Sequence, residues 1–392
     1  SLDNTGTVDE YGLHINATEF PMFTTTAPAD RYDLWLGFES GTGKYFMQFS
    51  NTANTVRSEK YYVEFTWGGM GIYKERWVTR AKADNSYDAD AAGGDSSYYI
   101  LPLQYDENLQ VGAEPFHPYN YTNWGPPTID GGAARAPAKN KSFDLNCAGC
   151  HFTGTNLTRD ANGLYHADAA DTSNVAGIID FDGDGHKDEM VIGCENCHGP
   201  GSEHVTAGLP PRVVLSRYLS AERDAMLCGR CHTRGLGKAQ FTGSADHIEY
   251  PSKGVDTISF PKPGIGYDEF AADYHTDIPG LFADDVGHSR QHHQQFVDLQ
   301  KSKHYKNQYA LVGCSECHEP HNREIGPSLS ARDNNNQLCL GCHSLYDFGL
   351  QPGYTIGQEA EAVSDHMIEN AAMAAGYDPQ NLAGFASETA AG

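Results

Sequence analysis

Five short segments of this chain share one pattern. They are Cys147-Ala-Gly-Cys150-His151, Cys194-Glu-Asn-Cys197-His198, Cys228-Gly-Arg-Cys231-His232, Cys314-Ser-Glu-Cys317-His318 and Cys339-Leu-Gly-Cys342-His343. Together they use all 10 cysteines of the 392 residues. Cys-x-x-Cys-His is the attachment signature of haem c: the two thiols form thioethers to the haem vinyl groups, and the histidine is the proximal iron ligand. Other uses of paired cysteines fit worse. A four-cysteine zinc site consumes two Cys-x-x-Cys pairs, so an odd number of pairs leaves one stranded. Neither zinc nor a redox dithiol explains the histidine after every pair. The expected cofactor is haem c, five per chain, and the expected chemistry is one-electron transfer.

The sixth position on each iron has to come from elsewhere. With 18 histidines against 7 methionines, histidine is the expected distal ligand, which implies low potentials. His204 follows the second motif closely enough to turn back onto a neighbouring haem. His321 lies three residues after His318, so the two cannot share an iron, and His321 would serve an adjacent one. Ser289 to Lys306 lacks Gly and Pro and reads as a helix. On it His293 and His304 would share a face ~16 Å apart, with His292 competing for the role of His293. The bland alternative for each is a surface histidine. His117, His275, His288 and His366 stay open as ligands.

These motifs need elements to hold them. The fold class expected is α+β with much irregular structure. Residues 1–105 read as a β-rich domain, with strand-like alternation in Arg57-Ser-Glu-Lys-Tyr-Tyr-Val-Glu-Phe-Thr-Trp67. Residues 106–140, rich in Pro, Gly and Asn, read as an irregular connector. Residues 141–346 form the haem-bearing domain, of short helices and loops around stacked haems. Residues 347–392 form a tail with a helix expected over 357–375. The motifs are unequally spaced, so a repeat solenoid is excluded.

A second metal site is legible in Asp180-Phe-Asp182-Gly-Asp184-Gly-His-Lys-Asp188. Alternating carboxylates around a glycine turn are the ligand pattern of a calcium loop. Val191 stands at the twelfth position instead of Glu, so the loop departs from an EF-hand. The alternative is a solvated acidic turn.

The formal charge of −25 excludes nucleic acid as a partner and leaves cationic or mineral surfaces and redox proteins. No run approaches the ~18 apolar residues of a membrane span. Haem c is attached outside the cytoplasmic membrane, so the expected location is extracellular or at the cell surface, with the periplasm as alternative. The Ser at residue 1 reads as a mature start after leader removal.

The order of Cys194-Glu-Asn-Cys-His-Gly-Pro-Gly-Ser-Glu-His204, Cys228-Gly-Arg-Cys-His-Thr-Arg-Gly235, His292-His-Gln-Gln295, Ser302-Lys-His-Tyr305 and Cys314-Ser-Glu-Cys-His-Glu-Pro-His321 resembles the cytochrome c-554-related multihaem family. The resemblance covers residues 98–343. It implies closely stacked haems with histidine on both sides of the iron, and His204, His304, His321 and one of His292/His293 as distal ligands. It implies an electron carrier, not an enzyme. A multihaem reductase of nitrite or hydroxylamine is the competing class, but no motif here carries the lysine that replaces the histidine in five-haem nitrite reductases. The chain is also similar to subunits of extracellular cytochrome filaments. That similarity implies a homo-oligomer or filament in which His14, far from any motif, ligates a haem of the next subunit; the alternative is an exposed side chain on a mobile terminus.

Overall fold

The computed structural model describes residues 11–16, 30–68, 74–89, 95–106, 115–127, 133–169, 190–207, 213–233, 236–237, 263–266, 268, 274–275, 294–307 and 311–321. The chain divides into two units, Ser1–Lys301 and Ser302–Gly392. Strands and a few short helices make a mixed α+β structure with much irregular chain.

The first unit is built on two four-stranded antiparallel sheets. One holds β1 (Tyr11–Ile15), β2 (Tyr32–Glu39), β3 (Lys44–Asn51) and β4 (Arg57–Tyr62) in that order. The other holds β5 (Phe65–Trp67), β6 (Glu75–Lys82), β7 (Ser96–Tyr105) and β8 (Phe116–Pro118). Alternate residues of a strand face opposite sides of a sheet. Leu34 and Leu36 of β2, Met47 and Phe49 of β3, and Tyr99, Leu101 and Leu103 of β7 therefore share one core between the sheets. Tyr98 and Ile100, the intervening residues of β7, point the other way into a second core. This is why β7 reads as a continuous apolar run: it is buried on both faces.

Residues 115–136, for all their Pro and Gly, enter the first core. Asn120, at φ 49°, turns the chain into a short 3₁₀ helix, Tyr121–Asn123. Tyr121 stacks on Tyr32 at 4.1 Å. The Tyr121 hydroxyl accepts from the Tyr32 N–H at 2.7 Å and donates to the Tyr32 carbonyl at 2.7 Å. Trp124 is fully buried, and its indole N–H donates to the Ile100 carbonyl at 2.9 Å. β9 (Gly125–Pro127) and β10 (Ala134–Arg135) pair behind it.

The second core is where the sheets meet the first motif. Val78 and Tyr98 pack with Phe143, Ala148 and Phe152, and Trp67 and Cys147 border the cluster. The hairpin of β11 (Asn156–Arg159) and β12 (Tyr165–Asp168) closes this region. Beyond it the unit contains helices α1 (Gly149–His151), α2 (Cys194–His198), α3 (Ser202–Ala207), α4 (Ala221–Gly229) and α5 (Gln295–Lys301). The described part of the second unit holds α6 (Lys303–Lys306) and the fourth motif.

The helix expected over 289–306 ends at Lys301 in its described part. Ser302 has extended backbone, φ −69° and ψ 159°, and its side chain accepts from the Tyr305 N–H as the cap of α6. His304 therefore lies on a separate helix, and His293 lies outside the described residues.

Candidate haem-attachment site

Each described motif sits on a tight helical turn, which brings its two thiols and its histidine to one side. The first runs from a π-helical turn, Asp144–Ala148, into α1. The second is α2 itself. The third closes α4: the His232 N–H donates to the Cys228 carbonyl at 3.0 Å. The fourth repeats this bond, from His318 N–H to the Cys314 carbonyl at 2.9 Å. Among the described residues no disulfide joins the eight cysteines of these motifs. Cys339, Cys342 and His343 lie outside the described residues.

Motifs one to three converge within the first unit. Arg230, between the two cysteines of the third, donates through Nη1 to the Asn196 carbonyl of the second. The Asn196 side-chain amide donates to the Phe152 carbonyl, next to His151, at 3.3 Å. Cys231 Sγ lies 4.0 Å from the Cys150 carbonyl oxygen. The thiols feel one another. Hydrogen bonding to Cys150 and the nearby Arg230 hold the Cys231 thiol below its usual range, against its burial. Burial, then Cys231 and Cys228, push the Cys197 thiol up. An open cleft of about 230 Å³ lies here, lined by Phe152, Thr153, Glu195, Asn196 and Arg230 among others.

In the second motif a backbone carbonyl orients the histidine. His198 Nδ1 donates to the Val214 carbonyl at 2.5 Å, and Val214 N–H returns a bond to the His198 carbonyl at 2.9 Å. A proton fixed on Nδ1 leaves the Nε2 lone pair for a metal. Val191 and Ile192 just before this motif, and Val205 just after it, are large apolar side chains left exposed beside exposed Cys194 and Cys197. A porphyrin face is the kind of surface that would cover them. The first motif is arranged differently. Trp67 N–H donates to His151 Nδ1 at 3.1 Å, with the rings edge to face at 4.3 Å. That bond puts the ring proton on Nε2, so iron ligation through Nε2 requires Trp67 to yield and the proton to move.

His204 on α3, His304 on α6 and His321 are exposed. His321 Nδ1 lies 3.2 Å from Glu319 Oε1. His14 is held within its own sheet: Nε2 is 3.0 Å from buried Asp33 Oδ2, and the ring stacks on Trp35 at 3.8 Å. His292, His293 and the acidic loop Asp180, Asp182, Asp184 and Asp188 lie outside the described residues. Among the described residues no group of three or more His, Cys, Asp or Glu converges to hold a metal ion. Trp67, Asn196, Val214 and Arg230 were not singled out from the sequence. Two of them occupy variable positions of the motifs, and the other two act from 84 and 16 residues away.

Gly229, in the third motif, is where α5 packs on α4. A Cβ there would lie 2.6 Å from Cγ and Cδ2 of Phe296, whose ring is buried. A packed ring cannot retreat as a flexible chain end can, and overpacking costs about 1–3 kcal/mol. Gly229→Ala is expected to lower the melting temperature of the protein. An unchanged melting curve would show that α5 moves freely.

Comparison with known proteins bears on the motifs themselves. The family described as "Doubled CXXCH motif" matches residues 309–347, which hold the fourth and fifth motifs. The multiheme cytochrome MtrA of Shewanella baltica is 23% identical over 220 residues, covering 55% of this chain and 57% of that protein. The C-type polyheme cytochrome OmcB of Geobacter sulfurreducens is 24% identical over 236 residues, covering 56% of this chain and 28% of that protein. The chain is a multihaem c-type cytochrome. It spans little more than half the length of the first relative and under a third of the second. No solved structure matches. Among the described residues of this cytochrome no helix is long and apolar enough to cross a membrane.

Proposed function

We propose that the cytochrome carries electrons through five covalently attached haems, each with histidine on both sides of its iron, as an extracellular conduit. The observation that carries this is the use of every cysteine in a Cys-x-x-Cys-His unit. Each motif's two cysteines would hold a haem through thioethers, each thiol S–H having added across a vinyl group. The bound group supplies a one-electron iron couple, and the protein sets geometry and potential. A reduced redox protein is the donor, and an oxidised redox protein or an extracellular acceptor takes the electron. The proximal ligands are His151, His198, His232, His318 and His343. His204, His304, His321 and one of His292/His293 are the distal set. The relatives' printed names support the cytochrome part of this reading.

Mass spectrometry of the purified protein should find five haem additions per chain, and elemental analysis five iron atoms. One calcium per chain is expected if Asp180, Asp182, Asp184 and Asp188 bind it. All irons should be low-spin. A high-spin iron that takes up cyanide or nitrite would replace the carrier with a reductase.

The filament is a further part of the proposal. For His14 to ligate the haem of a neighbouring subunit, its Nε2 must leave Asp33. A head-to-tail contact that does not close then gives an open polymer. His14→Ala should retain five haems and form no polymers. It should also lose about 1–2 kcal/mol of stability with the Asp33 hydrogen bond and the stack on Trp35. Normal assembly by His14→Ala, or wild type that stays monomeric at high concentration, ends the filament part and leaves the carrier intact.

A further inference from the structure

The convergence of the first three motifs has a charge at its centre. Arg230 is only 8% exposed. Arg217 and Arg223, nearby in sequence, are exposed to solvent. Burial pulls the Arg230 pKa below its usual range, and Cys231, Cys197 and Cys150, one thiol from each of the three motifs, act the other way and favour its charge. The group is also tethered. Its Nη1 bonds the Asn196 carbonyl, and Asn196 in turn bonds the Phe152 carbonyl, so the guanidinium belongs to a hydrogen-bonded line through all three motifs. Its backbone is fixed too, because Arg230 N–H caps α4 on the Cys228 and Met226 carbonyls while Phe296 presses on Gly229.

A thioether joins each of those sulfurs directly to a porphyrin. The three thiols lose their capacity for negative charge on attachment, and the guanidinium keeps its own. A positive charge in a low-dielectric interior acts strongly on nearby charges, with little screening by salt. Reducing a ferric iron removes one positive charge from the haem, so a fixed cation beside it favours the ferrous form. Net charge and burial are among the levers by which a protein sets a haem potential.

We propose that Arg230 is the fixed positive charge that raises the reduction potential of the haems at the junction of the first three motifs, so that electrons entering the chain collect there. This rests on the electron-transfer reading above. Arg230 touches no reacting atom and acts as a positioning and tuning residue.

The test is a spectroelectrochemical titration of the holoprotein for wild type, Arg230→Gln and Arg230→Lys, with covalent haem counted by mass spectrometry in each. Arg230→Gln is expected to keep five haems and to shift part of its reduction curve to lower potential. Arg230→Lys, which keeps the charge, is expected to follow wild type closely. A five-haem Arg230→Gln curve that superimposes on wild type overturns the proposal. If Arg230→Gln matures with fewer haems, the lysine variant decides: a curve unmoved from wild type supports the role of charge, and a curve moved downward overturns it. Wild-type protein without covalent haem would instead end the electron-transfer reading itself.

Discussion

Replacing Trp124 with alanine is expected to remove about 3–5 kcal/mol of stability, the range for deleting a large buried aromatic side chain. Trp124 is fully buried between the sheets. It stacks on Phe49 at 4.9 Å and meets Tyr61 edge-on at 5.4 Å and Tyr99 at 6.4 Å. Those rings stand on β3, β4 and β7, and strands cannot close a ring-sized void by rotamer changes alone. The substitution also removes the indole N–H from the Ile100 carbonyl. Against the roughly 5–15 kcal/mol of a whole domain, this loss is large. Because β7 carries both cores, the damage should reach the first motif as well as the sheets. Thermal unfolding followed by circular dichroism, beside the Soret band, measures both. A melting temperature within a few degrees of wild type would show that the first core is not what holds the two sheets together.

The features that the sequence revealed and concealed divide by range of interaction. The motif turns were legible, because five residues suffice to specify them. The strands of Arg57–Trp67 were legible from alternation and are β4 and β5. The burial of Tyr121 and Trp124 was not: they lie among Pro, Gly and Asn, and no periodicity marks an irregular segment that fills a core. The break at Ser302 had a local signal, a serine able to cap, but the absence of Gly and Pro around it favours reading one continuous helix. The partners of the proximal histidines were hidden for another reason. Val214 contributes only a backbone carbonyl, which any residue owns. Trp67 reaches His151 only after the second sheet is formed. Asn196 and Arg230 stand at positions where the attachment chemistry tolerates any side chain, so the motif itself says nothing of them.

Asp144 links the sheets to the first motif, and its loss should make the pH dependence of stability visible. The carboxylate is buried, three residues before Cys147. Oδ2 accepts from the Tyr98 N–H of β7 at 2.6 Å, and Oδ1 accepts from the Ala167 N–H of β12 at 2.9 Å. Burial pushes its pKa from 3.8 up to about 7, against the backbone N–H groups of Ala167, Tyr98 and Asp144 itself, which favour the anion. A pKa raised on folding means that the folded state holds the proton more tightly than the unfolded chain. Its stabilising contribution is complete below pH ~4 and is lost as the pH rises through about 7. The full span is on the order of 4 kcal/mol at 1.36 kcal/mol per pH unit. Asp144→Asn cannot titrate, and its amide turns N–H toward a backbone N–H, so it should be less stable than wild type by about 1–3 kcal/mol or more at pH 4. The gap should narrow as the pH rises to 7, because only wild type loses stability through this group. Denaturant unfolding of both proteins at pH 4, 5.5 and 7 makes the comparison, and all other titrating groups cancel in the difference. A gap that stays constant or widens with pH would mean that the N–H donors prevail and that Asp144 is an anion throughout. In that case the first motif is anchored to β7 and β12 by a buried charge that persists across this range.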